Sequence, residues 1–139
     1  MPIIELDILI AFVNKADKLH NVAIEIFNKI TTGELKGIIV PTSAYIEYEL
    51  ILKSRGYSED DVRSDIEAFK RVKNLGEVPL TSNIIVKASK LRETYGLTYF
   101  DSLHAASALL YDKTIISIDE AYRRVPKLKV LDPREAATF

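Results

Sequence analysis

Thr114-Ile115-Ile116-Ser117-Ile118-Asp119 is the stretch that decides the fold. A strand with one face in water alternates apolar and polar residues. This run is apolar at nearly every position, so it predicts a strand covered on both faces, the usual state of a parallel strand. It also ends on an acid. The same pattern opens the chain, where residues 2–6 read as an Ile- and Leu-rich strand followed by Asp7. Gly37-Ile38-Ile39-Val40-Pro41 reads as a strand closed by proline, Glu77-Val78-Pro79-Leu80 as a weaker one, and Lys129-Val130-Leu131 as a short last one.

Helical spacing fills the intervals. Residues 20–32 carry Val22, Ile26 and Ile30 four apart, with Ala23 and Phe27 beside them. Thr42 or Ser43 can cap a helix running to about Ser54. Ser58 and Asp61 have capping-box spacing, ahead of the stripe Val62, Ile66, Phe69 and Val72. Thr81 or Ser82 opens a helix with Ile84, Ala88 and Leu91 inward and Gly96 at its end. From Asp101 to about Leu110, small and apolar residues predict a helix buried on most sides. Strands alternating with helices predict an α/β fold with a parallel sheet between two helical layers. No linker or repeat divides residues 1–139, so one domain is expected.

Composition removes several classes of function. The net charge is −1, so no global basic field coats a nucleic acid. There are no cysteines and two histidines, which excludes thiolate chemistry and makes a histidine-rich zinc site improbable. Any metal would sit on carboxylates, favouring Mg2+ or Mn2+. No apolar run approaches a membrane span and no basic leader opens the chain, so a cytoplasmic, membrane-free protein is expected.

Ligands of parallel sheets bind beyond the carboxyl ends of the strands. Asp7 and Asp119 fall at such ends, and Asp101 falls in the first turn of the buried helix. Glu47 and Glu49 flank the apolar face of the helix after the second strand. Grouped carboxylates repel one another, and a divalent cation removes that penalty. Taken singly, an Asp at such a junction is most often a helix cap, and a Glu such as Glu47 more often a solvated edge residue.

Four pieces together resemble the PIN domain family: Asp7 after an apolar strand; Ile46-Glu47-Tyr48-Glu49-Leu50-Ile51-Leu52-Lys53-Ser54; Tyr99-Phe100-Asp101-Ser102-Leu103-His104-Ala105-Ala106-Ser107-Ala108; and Ile115-Ile116-Ser117-Ile118-Asp119. The resemblance covers nearly the whole chain. It implies a three-layer α/β/α fold around about five parallel strands, with Mg2+ or Mn2+ held by Asp7, Glu47, Asp101 and Asp119. It implies metal-dependent endoribonuclease activity, and at this size a VapC-type toxin with RNA as substrate, a small antitoxin as partner and a homodimer as the assembled state. The pattern of Glu followed by Leu52 five residues on selects Glu47 over Glu49. The chain departs from the family at Ile8, where a hydroxyl residue is usual, and at Tyr122, where many relatives carry a further acid that Glu120 could partly replace.

Around these acids, Ser117 and His104 are candidates for supporting hydrogen bonds, although a histidine among small residues is more often a core residue. Arg123, Arg124 and Lys127 after Asp119, and Lys53 with Arg55 after Glu47, are candidate RNA contacts, with solvated faces as the plain alternative. Tyr95 and Tyr99 could stack on bases, whereas Phe100 reads as core. A non-cleaving or partner-dependent RNA-binding domain is the alternative function, favoured by Ile8. A phosphatase of the haloacid-dehalogenase type would need an Asp where Leu9 stands, and no glycine-rich phosphate loop is present.

Overall fold

The computed structural model describes residues 2–138. Five strands form one all-parallel sheet in the order β3-β2-β1-β4-β5: β1 Ile3–Ile4, β2 Ile39–Pro41, β3 Gly76–Val78, β4 Thr114–Ile116 and β5 Lys129–Leu131. Seven α-helices surround it: α1 Leu6–Val13, α2 His20–Thr32, α3 Thr42–Ser54, α4 Glu59–Lys70, α5 Ser82–Tyr95, α6 Tyr99–Leu109 and α7 Pro133–Ala136. A 3-10 turn, Glu120–Arg124, follows Asp119.

The apolar runs lack alternation because successive residues serve two cores. Ile4, Val40 and Ile116 pack with α1, α2, α3 and α4, while Ile3, Ile39 and Ile115 pack with α5 and α6. This is the three-layer arrangement that the sequence predicts. On the first face, Phe69 lies at the centre of an aromatic group with Phe12, Phe27, Tyr45 and Tyr48, at centroid distances of 5.5 to 6.3 Å.

Helix ends follow local chemistry in most places. Ser58 and Asp61 form the expected capping box. Thr81 caps α5, and Gly96 ends it in the left-handed region at φ 67°. Thr98, not a residue of the helix body, caps α6 by accepting from the Asp101 N–H. Neither Thr42 nor Ser43 caps α3: β2 runs straight into the helix, Pro41 holds the cap position, and the Ser43 hydroxyl is turned inward. The first strand is also shorter than its apolar run suggests. It ends at Ile4, and residues 6–13 form α1, which the sequence reading leaves without an element. Short α7 is likewise absent from that reading.

Strands β2 and β3 lie on one side of β1, and β4 and β5 on the other. The chain therefore reverses direction of growth between β1 and β4. At that switch point the connections leave in opposite directions and open a crevice at the carboxyl edge.

Candidate active site

The pairing of β1 with β4 builds the floor of this crevice. Ile3 pairs with Ile115 and Ile4 with Ile116, so the next residues, Glu5 and Ser117, emerge side by side at the sheet edge. The Ser117 hydroxyl lies 3.1 Å from Glu5 Oε1 and 3.0 Å from Asp7 Oδ2. Asp7 Oδ2 also accepts the Ile118 N–H at 2.9 Å, and Ser117 Oγ accepts the Asp119 N–H at 3.0 Å. One buried serine thus ties together three acids from both strand ends. Because the strand ends at Ile4, Glu5 holds its carboxyl end and Asp7 sits in the first turn of α1.

Helix α6 brings in Asp101, and a buried tyrosine links it to Glu5. The Tyr122 hydroxyl lies 3.2 Å from Glu5 Oε2 and 3.2 Å from Asp101 Oδ1. Asp119 caps the 3-10 turn through the Ala121 N–H and remains exposed at the rim. Glu47 arrives on α3 and is fixed by His104: Nε2 lies 2.8 Å from Glu47 Oε1, and Nδ1 lies 2.8 Å from Ser43 Oγ. With the serine donating to Nδ1, the ring carries its proton on Nε2 and donates it to Glu47. His104 is fully buried and uses both nitrogens. It is therefore a core residue and a support for an acid at once.

The resulting cleft has a volume of about 780 Å3 and is lined by Glu5, Asp7, Glu47, Asp101, Asp119 and Glu120, among others. All four acids read from the sequence line it. Glu49 lines a separate groove between α3 and α4. The residue that the sequence reading misses is Glu5, which is 5 % exposed. It looks like part of a strand interior until the strand is known to end at Ile4. Tyr122 and Ser43 are likewise visible only in three dimensions.

Electrostatics show the strain of this grouping. Burial first, and the neighbouring Asp7 second, hold the Glu5 carboxyl well above the usual carboxylate range. Burial, then Asp119, raises Asp101, against hydrogen bonds from Thr98 and Tyr122. Burial and the surrounding acids push the Tyr122 phenol up, so it stays a donor. Asp7 Oδ1 is buried and has no hydrogen-bond partner among the described residues. Oxygens of Glu5 and Glu47 lie within 4.8 Å of each other and of His104 Nε2. With that nitrogen already committed to Glu47, the free donors are hard carboxylate oxygens. This set suits Mg2+ or Mn2+ better than zinc.

A pH experiment tests that fit. Folding raises the Glu5 and Asp101 carboxyls above their unfolded values, so their stability contribution is full below the unfolded value of about 4. It is lost as pH rises through the raised folded values. The metal-free melting temperature is expected to fall as the pH rises above the unfolded value of about 4, and millimolar Mg2+ to restore more of it at pH 8 than at pH 5. An equal effect of Mg2+ at both pH values, or none, would count against a cation on these carboxylates.

Two other readings change. Ile8 is fully buried in the core beneath α1, so a hydroxyl at that position would not face the acids. The hydroxyl that touches Glu5 and Asp7 comes from Ser117 instead, and Leu6 lines the cleft. Among the candidate RNA contacts, Lys53 is paired with Glu59 at 2.6 Å, Arg123 with Glu120 at 3.0 Å, and Arg124 donates to the Gly96 carbonyl at 3.2 Å. Lys127 and Arg55 are exposed, without an ion pair among the described residues. Tyr99 is exposed beneath the Arg92 guanidinium, 5.1 Å from the ring centre, Tyr95 is half-buried, and Phe100 packs against the second core.

An all-parallel sheet between two helical layers, with acids gathered at its switch point, defines a class of carboxylate site whose oxygens could hold a hard cation. The chain belongs to the PIN domain family, whose sequence profile matches residues 6–128. No curated protein matches at a significant level. Solved structures share the fold. VapBC2 from Rickettsia felis, bound to a promoter DNA fragment, is 16 % identical over 92 % of this chain and 95 % of its own, with a TM-score of 0.69. VapC20 from Mycobacterium tuberculosis, a sarcin–ricin-loop-cleaving toxin, is 12 % identical over 95 % of this chain and 100 % of its own, with a TM-score of 0.71. FitAcB from Neisseria gonorrhoeae is 11 % identical over 96 % and 98 %, with a TM-score of 0.67. Among the described residues no helix is long and apolar enough to cross a membrane.

Proposed function

We propose that this chain is a single-domain, Mg2+- or Mn2+-dependent endoribonuclease, the toxin of a VapBC-type pair, acting on RNA in the cytoplasm. The observation that carries the reading is the convergence of Glu5, Asp7, Glu47, Asp101 and Asp119 on one cleft of a PIN domain. A divalent cation there supplies Lewis-acid polarisation of a phosphodiester and lowers the cost of ionising the attacking water. The protein's own part is positional. Ser117 holds Glu5 and Asp7, Tyr122 holds Glu5 and Asp101, and His104 holds Glu47, so the carboxylates need little reorganisation to meet a charged substrate.

Partners follow from surface chemistry and from the company this fold keeps. Solved neighbours include toxin–antitoxin complexes, which supports a small antitoxin as partner. Ile46 and Leu50 are exposed on α3, and Ile85 and Val86 on α5, which supports contacts with an antitoxin and with a second copy. The alternative, a non-cleaving or partner-dependent RNA-binding domain, rests on the departure at Ile8, and the burial of that residue away from the acids weakens this support.

The decisive experiment is cleavage of an end-labelled, mixed-sequence RNA with Mn2+ or Mg2+, with Asp101→Asn as control. Cleavage lost on chelation and in the variant supports the reading. A folded protein that binds metal and leaves a wide range of RNAs intact would overturn it. Within the same assay, Glu47→Gln is expected to reduce cleavage at least about tenfold, and Glu49→Gln less than about twofold. The reverse order would place the site on the other edge of α3.

A further inference from the structure

A second cavity of about 380 Å3 adjoins the acid cleft, and Ile10 lines both. Its walls come from α1, α3 and α4, and its polar groups are Asn14, Tyr48, Arg55, Tyr57 and Asp65. Two parallel tracks lead into it. On α1, Asp7 lies in the cleft, Ile10 divides the cavities one turn on, and Asn14 follows a turn later. The span from Asp7 to Asn14 is about 10 Å along the helix axis. On α3, Glu47 lies in the cleft, and Tyr48, Leu52 and Arg55 follow on one stripe into the second cavity.

The centre of this cavity is an anchored acid. The fully buried Tyr48 donates to Asp65 Oδ2 at 2.6 Å, which sets the carboxylate and leaves Oδ1 and the second lone pair of Oδ2 for a pair of further donors. A carboxylate repels a phosphate, so this wall suits a partner with N–H groups. At the rim stand Arg55, a cation at the end of α3, and Tyr57, a residue 52 % exposed. Asn14 accepts the Ala16 N–H through Oδ1, which keeps its side-chain NH2 as a donor.

We infer that this cavity is a guanine subsite, taking an unstacked base of the RNA within two nucleotides of the cut. Guanine presents N1–H and the 2-amino group side by side, the pair of donors that a fixed carboxylate accepts. Adenine and cytosine offer an amino group beside a ring acceptor, and uracil a single N–H between two carbonyls. Unstacked RNA bases are commonly read on this edge while stacked on an aromatic ring or a guanidinium. Asp65 then reads the edge, Asn14 meets the guanine carbonyl, Tyr57 stacks and Arg55 meets the adjoining phosphate. The inference deepens the nuclease reading and rests on it for its cleavage arm alone.

Two measurements test it. Sequencing of cut ends from a random RNA pool is expected to show G enriched over A near the cut, and Asp65→Asn to reduce that ratio about tenfold. The variant keeps an acceptor for the Tyr48 hydroxyl, so it is expected to fold. Independently of cleavage, guanosine 5′-monophosphate titrated to millimolar should shift the backbone amide resonances of Asn14, Arg55, Tyr57 and Asp65 in the wild type. Adenosine 5′-monophosphate should not, and Asp65→Asn should abolish the response. Guanosine shifts without any RNA cleavage would support the subsite and sink the nuclease reading. Equal response to both nucleotides, no response, or a cut pattern unmoved by Asp65→Asn would overturn the subsite. So would shifts at these residues from an arginine-bearing peptide but not from guanosine monophosphate, which would make the cavity a protein-docking site.

Discussion

Glu5→Gln is expected to lower RNA cleavage by about 10²- to 10³-fold while raising the melting temperature of the metal-free protein near pH 8. The two effects have one cause. Glu5 is buried, and Asp7 raises its cost of ionisation further. An amide removes that repulsion, and of the Ser117 and Tyr122 hydroxyls, which lie 3.1 and 3.2 Å from the two Glu5 oxygens, one keeps an oxygen to donate to and the other can accept from the amide NH2. What it cannot do is offer a charged ligand to a cation, so the stabilisation by Mg2+ should shrink along with the activity. Such acids weaken the fold and persist where chemistry needs them. Unchanged cleavage by Glu5→Gln would leave the site to the remaining four acids and make Glu5 a buried structural residue. Loss of cleavage together with a lower melting temperature would mean that the amide disturbs the floor of the cleft, and comparison with Asp101→Asn would then separate folding from chemistry.

His104→Ala is expected to cost about 2 to 4 kcal/mol of stability through the cavity it opens and the partners it strands. The ring is fully buried and paired on both sides, to Ser43 and to Glu47, at 2.8 Å each. Its loss leaves a buried hydroxyl without its partner and frees a carboxylate that should point into the cleft. Cleavage is expected to fall at least about tenfold under conditions where the variant remains folded, because a support to a metal-binding acid is gone. Denaturant unfolding gives the first number and single-turnover cleavage the second. A stability loss under about 1 kcal/mol would mean that water replaces the ring at little cost. Full activity in the folded variant would separate Glu47 from the reaction.

Much of this molecule can be read from short-range pattern. The non-alternating runs at 37–41 and 114–118 specify buried parallel strands, because each successive side chain faces a different core. Four-residue spacing locates α2, α4 and α5, and the Ser58–Asp61 pair marks a helix start. Asp101 and Asp119 are legible because an acid beside an apolar run stands out against its neighbours. The helical wheel leaves Glu47 and Glu49 at opposite edges of one face, and only the resemblance to the PIN domain pattern, through Leu52 five residues on, selects Glu47.

The sequence by itself therefore determined the layers and the sheet class and marked Asp7, Asp101 and Asp119 as candidates beside apolar runs, since each depends on periodicity within one element or on the residue next to it; grouping them with Glu47 took the resemblance to the family. The tertiary structure alone decided which residue ends β1, and with it the role of Glu5, because a strand end is set by pairing with β4 rather than by hydrophobicity. The bond from Ser117 to Glu5 spans 112 residues, the link from Tyr122 to Glu5 117, and the His104–Glu47 pair 57. No local pattern encodes such meetings. They arise when register and helix packing fix which side chains share a space, and the same packing of α1, α3 and α4 makes the cavity around Asp65.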